Sequence, residues 1–203
     1  MADPPPPLLL FDLGGVLIEF SGLTDIHALL REPMSVEEVG ALWQQTRAIG
    51  DFEVGSLTPK QFGEAFAASW PLAVSAAEFV SHYESWTRQL LPGAAELLEE
   101  LRPRYRLAAL SNSNILHWTR NDVVIGVQAY FDRAFSSHQL GLRKPDPVIY
   151  QRVLQELAVE AAEVVFFDDN LANVEAALAV GINAYRVEGV EAARASLKDL
   201  GLL

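Results

Sequence analysis

Apolar residues in this chain follow two rhythms. Four short runs dominated by apolar side chains stand out, at residues 8–11, 107–110, 164–167 and 184–187. Runs of this length without polar alternation suit strands buried on both faces, as in a parallel sheet. Between them the spacing turns helical. Residues 94–101 set Leu97, Leu98 and Leu101 on one side, just after Pro92-Gly93. Residues 147–157 carry Ile149, Val153 and Leu157, with Pro147 suited to a first turn. Residues 171–180 carry Leu171, Val174 and Leu178, and Gly181 is placed to cap the C-terminus. Alternating strand and helix predicts right-handed βαβ units, hence a doubly wound α/β fold.

Residues 20–89 break that alternation. They hold Trp43, Trp70 and Trp86 and several phenylalanines at helix-like spacing, and no buried strand is evident. Thr58 reads as an N-cap and Pro59 as the first residue of a helix placing Phe62 and Phe66 on one face. The expectation is an all-helical inserted cap at 20–89, with residues 1–19 and 90–203 forming the core. Residues 1–7, with prolines at Pro4 to Pro7, read as a stiff, solvated lead-in.

Composition narrows the classes. The start lacks the basic and apolar regions of a secretory leader, and no stretch of about 20 apolar residues occurs. The absence of cysteine removes disulfide and thiolate chemistry and fits a cytoplasmic location. A net charge of −12 argues against nucleic acid and anionic membranes as partners. It does not exclude a phosphate substrate, because surface charge is screened over about 8 Å at physiological salt.

Three of the four runs end in polar residues: Asp12, Ser111-Asn112 and Asp168-Asp169. In an open α/β sheet, ligands bind beyond the carboxyl ends of the strands, so these groups are expected to converge. Alone, each is as readily a turn or helix-cap residue. Together, the aspartates would repel one another unless neutralised, which suits Mg²⁺, held by one or two carboxylates plus substrate phosphate. Lysine is scarce, occurring only at 60, 144 and 198. Lys144, in Arg143-Lys144-Pro145-Asp146-Pro147, offers a compact ammonium able to touch phosphate and nucleophile together.

These segments resemble a known family. Phe11-Asp12-Leu13-Gly14-Gly15-Val16-Leu17, Leu110-Ser111-Asn112, Lys144-Pro145-Asp146 and Phe167-Asp168-Asp169-Asn170 are similar to the four ordered motifs of the haloacid dehalogenase superfamily. Residues 52–58, Phe-Glu-Val-Gly-Ser-Leu-Thr, resemble a cap signature of its helical-cap phosphatases, a branch that includes sugar-phosphate phosphatases. The resemblance implies a Rossmann-like core and a Mg²⁺-dependent phosphohydrolase acting on a small phosphorylated metabolite. In that reading Asp12 is the nucleophile, forming an aspartyl-phosphate. Ser111, Asn112 and Lys144 bind the phosphoryl group. Asp12, Asp169, Asp168 and the Gly14 backbone carbonyl serve the metal.

One position departs from the pattern. The family's phosphatases usually carry a second aspartate, a general acid, two residues after the nucleophile; here that residue is Gly14. A positioned acid contributes about 10²–10⁴ in rate. Its absence favours leaving groups needing little protonation, such as an anomeric sugar oxygen or an acyl phosphate. Asp51 and Glu53 are candidate substitutes from the cap, though a solvated turn accounts for either. The histidines at 27, 82, 117 and 138 show no metal spacing and read as packing or surface residues. The tryptophans at 43, 70 and 86 read as cap core, and Trp118 is a weak candidate for the cleft. Two rivals stand beside the phosphatase: a metal-free 2-haloacid dehalogenase, whose branch has serines where this chain has Asp168-Asp169, and a catalytically weak phosphate-binding or scaffold protein marked by Gly14.

Overall fold

A computed structural model describes residues 7–203, so the lead-in reading falls outside the described residues except at Pro7. In chain order the elements begin with strands β1 (Leu8–Phe11) and β2 (Ile18–Phe20). Helices α1 (Gly22–Asp25), α2 (Val36–Gln45), α3 (Arg47–Glu53), α4 (Pro59–Ser69) and α5 (Ala76–Glu84) follow. Next come β3 (Thr87–Leu90), α6 (Ala94–Leu101), β4 (Leu107–Ser111), α7 (Ile115–Arg120), β5 (Arg133–Ser136), α8 (Ser137–Leu140) and α9 (Pro147–Leu157). The chain closes with β6 (Val164–Asp168), α10 (Leu171–Ala179), β7 (Asn183–Arg186) and α11 (Gly189–Asp199).

The main sheet runs β5-β4-β1-β6-β7 with every neighbouring pair parallel. Because successive side chains on a strand point to opposite faces, each buried strand feeds two cores. Leu9, Phe11, Leu107, Ala109, Val165 and Phe167 join Leu97, Leu98 and Leu101 of α6 and Val190, Ala193 and Leu197 of α11. Leu8, Leu10, Ala108, Leu110, Val164 and Phe166 pack on the other face against Ile149, Tyr150, Val153 and Leu157 of α9. The result is the doubly wound arrangement expected from the alternation. Strand β5 went unread because Arg-Ala-Phe-Ser is a short edge strand exposed at its start.

The inserted stretch is helical, with a core of its own. Phe52, Phe62, Phe66, Phe79, Tyr83 and Trp86 are buried together with Trp70, and the rings of Phe66 and Phe79 stack at 4.1 Å between centroids. Helix α4 starts as its residues dictate: the Thr58 hydroxyl accepts from the Gln61 N–H, Gln61 reaches back to the Thr58 N–H, and Pro59 takes the first turn. The ends of the insertion pair as an antiparallel ribbon, β2 with β3, registering Ile18 with Leu90 and Phe20 with Thr87. The polar composition of Thr87-Arg88-Gln89 hid that strand, since it is ordered by its partner and not by burial. Among the described residues, no helix is long and apolar enough to cross a membrane.

Candidate active site

Strands β1, β4 and β6 lie side by side in the sheet and end together. Asp12, one residue beyond β1, is anchored by its N–H donating to the Phe167 carbonyl at 2.8 Å. Ser111 closes β4 and Asp168 closes β6. Lys144, from the loop before α9, enters the same space and is 1% exposed. Its ammonium lies 3.0 Å from Asp12 Oδ1 and 2.6 Å from Asp168 Oδ2, and it donates to the Leu110 carbonyl at 2.9 Å. Burial opposes the charge on Lys144, but Asp12 and Asp168 outweigh it and hold its pKa above the ordinary lysine value. Asp168 has no oxygen to spare. Oδ2 accepts from Lys144, Oδ1 accepts from the Asn170 N–H at 2.8 Å, and both face the Asn173 amide at 3.0 and 3.1 Å.

Carboxylates outnumber cations here. Oxygens of Asp12, Asp168 and Asp169 all lie within 4.8 Å of one another, with one ammonium among them. Burial pushes the Asp12 carboxyl up to about 7; Lys144 pulls it down, while Asp168 and Asp169 add to the rise. Burial and then Asp168 raise Asp169 as well. A hard divalent cation fits Asp12 and Asp169, because it removes the repulsion the protein leaves uncompensated, whereas Asp168, expected to serve the metal, has both oxygens taken by protein donors. The backbone is shaped around Asp169: Gly15 sits at φ 73°, and a Cβ there would come 2.3 Å from Asp169 Oδ2. A Cβ on Gly14 would meet nothing within 4 Å.

Asp12, Gly14, Ser111, Asn112, Lys144 and Asp169 all line one cavity of about 360 Å³. A model of the haloacid dehalogenase-like hydrolases matches residues 6–181. The chain belongs to that family. A sesquiterpene phosphatase of Aspergillus oryzae is 30% identical over 179 residues, 85% of each chain. A phosphatase of Mycobacterium tuberculosis is 28% identical over 187 residues, covering 89% of this chain and 86% of its own. A family enzyme of Bacteroides thetaiotaomicron, solved with magnesium and inorganic phosphate, superposes with a TM-score of 0.72 at 25% identity, covering 89% of this chain and 93% of its own.

In this haloacid dehalogenase-like hydrolase the helix-cap alternative does not apply to Ser111 or Asp168-Asp169: Asn114 and Asn170 cap the helices, their side chains accepting from the next turn. Asn112 reaches the cavity but binds the Lys144 backbone at both ends of its amide, each at 2.8 Å. Asp51 pairs with Arg47 on the outside. Glu53 lines the cavity, 3.0 Å from Arg143, and burial raises its carboxyl against the pull of Arg143 and Lys144. Trp118 packs into the sheet core instead of the cleft.

The cavity wall that sequence reading passed over includes Phe20, Tyr83, Thr87, Asn121 and Arg143, with Trp43 and His117 read only as packing residues. His117 is buried, not peripheral. Its ring stacks on Tyr83 at 4.4 Å between centroids, with Nε2 2.6 Å from the Tyr83 carbonyl and Nδ1 3.1 Å from Asn114 Nδ2. The Asn114 oxygen is committed to capping α7, so its amide N–H must donate to Nδ1 and His117 Nε2–H donates to Tyr83. That neutral tautomer leaves no place for a second proton, and burial lowers its pKa to about 4. Nearby, Ser137 Oγ donates to the Glu53 carbonyl at 2.6 Å, and a Cβ on Gly55 would meet the His138 carbonyl at 2.6 Å. The glycine of the 52–58 signature is therefore where inserted helices and core meet backbone to backbone.

Two outcomes follow from this geometry. Gly15→Ala should lose about 1–2 kcal/mol in denaturant melts from its left-handed φ alone, with more lost as Asp169 is pushed aside. His117 is neutral in the fold and titrates near 6.5 when unfolded, so its contribution is complete above pH 6.5 and is lost as pH falls toward 4. The stability difference between the wild type and His117→Gln should shrink by about 3 kcal/mol between pH 7 and pH 4. A difference flat with pH would contradict the assigned tautomer.

Proposed function

We propose that the chain is a Mg²⁺-dependent phosphohydrolase of small phosphorylated metabolites that forms an aspartyl-phosphate on Asp12, within a core of residues 1–19 and 90–203 covered by a cap at 20–89. The meeting of Asp12, Ser111, Lys144 and Asp169 in one cavity, from four separate segments, carries this reading. The Bacteroides enzyme's magnesium and phosphate support it.

The Asp12 Oδ–P bond forms as the P–O bond to the alcohol breaks, and the departing oxygen leaves as an oxyanion that takes its proton from solvent. The Lys144 ammonium, 3.0 Å from Asp12 Oδ1, stays close to the phosphoryl charge throughout. The Ser111 hydroxyl donates to a phosphoryl oxygen, while the Ser113 N–H is held by Ser137 Oγ. Asp168 and Asn112 act through Lys144, one fixing its ammonium and the other its backbone. Water then attacks the phosphorus of the acyl phosphate, releasing inorganic phosphate and the Asp12 carboxylate. Mg²⁺, held by Asp12, Asp169 and the Gly14 carbonyl, would neutralise phosphate charge and orient the ester.

The dehalogenase rival has no use for this concentration of carboxylates; halide release insensitive to a chelator would favour it. Phosphate release from phenyl phosphate should require Mg²⁺, stop with EDTA, and fall at least 10³-fold in Asp12→Asn. The open space beside Gly14 yields a second expectation: Gly14→Asp meets no clash at its Cβ and should raise kcat/KM on simple alkyl phosphates by about 10². Wild-type turnover best on simple alkyl phosphates would sink the leaving-group reading.

A further inference from the structure

Among the described residues, three buried side-chain atoms have no hydrogen-bond partner in the protein: Glu53 Oε2, Thr87 Oγ1 and Asn121 Oδ1. Such orphans are uncommon in native proteins, and each costs about 1–3 kcal/mol. Chance would scatter them. Instead all three residues line the cavity above Asp12 and Lys144, although they come from the end of α3, the start of β3 and the turn after α7. Thr87 and Asn121 are 5% and 2% exposed, too enclosed for bulk water to compensate.

Their chemistry is one-sided. A carboxylate oxygen and an amide oxygen accept only, and the threonine hydroxyl both accepts and donates. A complementary ligand must therefore bring donors. Arg143 Nη2, 3.0 Å from Glu53 Oε2, already balances the carboxylate charge without aligning as a hydrogen bond to that atom. The site thus suits neutral donors, hydroxyls, better than an ammonium group. Around them Phe20, Trp43 and Tyr83 present rings against which the C–H faces of a small carbon skeleton can pack.

We infer that Glu53, Thr87 and Asn121 form a hydroxyl-reading subsite, which selects polyhydroxylated phosphate esters and rejects hydrocarbon ones of the same size. This rests on the phosphatase reading of the same cavity and adds to it the residues that choose the alcohol. A prenyl phosphate would bury those three oxygens against hydrocarbon and leave them unpaired. A site built to bond a substrate hydroxyl discriminates strongly against an analogue lacking it.

A matched pair of ligands tests the inference without turnover. Calorimetry on Asp12→Asn with Mg²⁺ would compare cyclohexyl phosphate with a panel of hexose 1-phosphates, identical in ring size and differing in hydroxyls. The tightest hexose ester should bind at least tenfold more tightly than cyclohexyl phosphate. Thr87→Val and Asn121→Leu should each cut that ratio to threefold or less, while Thr87→Ser, which keeps the hydroxyl, should preserve it. The proposal is overturned if cyclohexyl or a prenyl phosphate binds as tightly as every hexose ester, if neither ester binds, or if the substitutions leave the ratio unmoved in chains whose melting temperatures show them folded. Should Thr87→Val fail to fold, Asn121→Leu decides alone, and Glu53→Leu, which removes the acceptor oxygens, replaces both if neither folds, with the same fall in ratio expected. Failure of the wild type to hydrolyse any ester would remove the phosphatase reading while the binding ratio still judges this one.

Discussion

A buried ammonium between two buried carboxylates holds this molecule's working end together. Lys144 joins Asp12 after β1 and Asp168 at the end of β6, and reaches the end of β4 through the Leu110 carbonyl. Desolvating such a group is expensive, and an uncompensated partner left behind costs about 3–5 kcal/mol. The arrangement is tolerable because both carboxylates are delivered by hydrophobic strands and the Lys144 backbone is clamped by the Asn112 amide. The apolar runs thus do more than fill the sheet. They fix the strand ends in register, and the polar residues that stop each run inherit that precision.

The same interaction explains a division of labour between adjacent aspartates. Asp168 is fully enclosed and spends both oxygens on protein partners. Asp169, its neighbour, faces the cavity and is left with the excess charge. One residue of backbone rotation separates a group that builds the site from a group that meets the ligand. Charge left unbalanced by the protein is charge available for a cation and a phosphate to balance.

Residues whose position follows from strand periodicity were legible in the chain: Asp12, Ser111 and Asp169 sit at or just beyond strand ends, and Lys144 sits where motif order put it. The helices starting at Pro59 and Pro147 were equally legible, because a proline and its preceding cap are local signals. The cavity wall was not. His117 and Trp118 are adjacent on α7, and nothing local says which turns toward the cleft; packing against Tyr83, thirty-four positions away, decides it. Thr87 belongs to a strand created by its partner, and Asn121 to a wide helical turn no periodicity announces. Asn112 looked like a ligand group because motif order cannot reveal that its amide is occupied by the Lys144 backbone.

The antiparallel ribbon has an evolutionary corollary. With Ile18 registered on Leu90 and Phe20 on Thr87, the polypeptide leaves and rejoins the parallel sheet at a single doorway. Most of what lies between those strands buries its aromatic cluster among its own helices, with Leu116 and His117 of α7 among its contacts to the core. Lengthening, shortening or exchanging that cassette changes no pairing among the five parallel strands. Natural variation can therefore rework the wall that the insertion contributes to the cavity while the strand ends carrying Asp12, Ser111 and Asp168 stay in place.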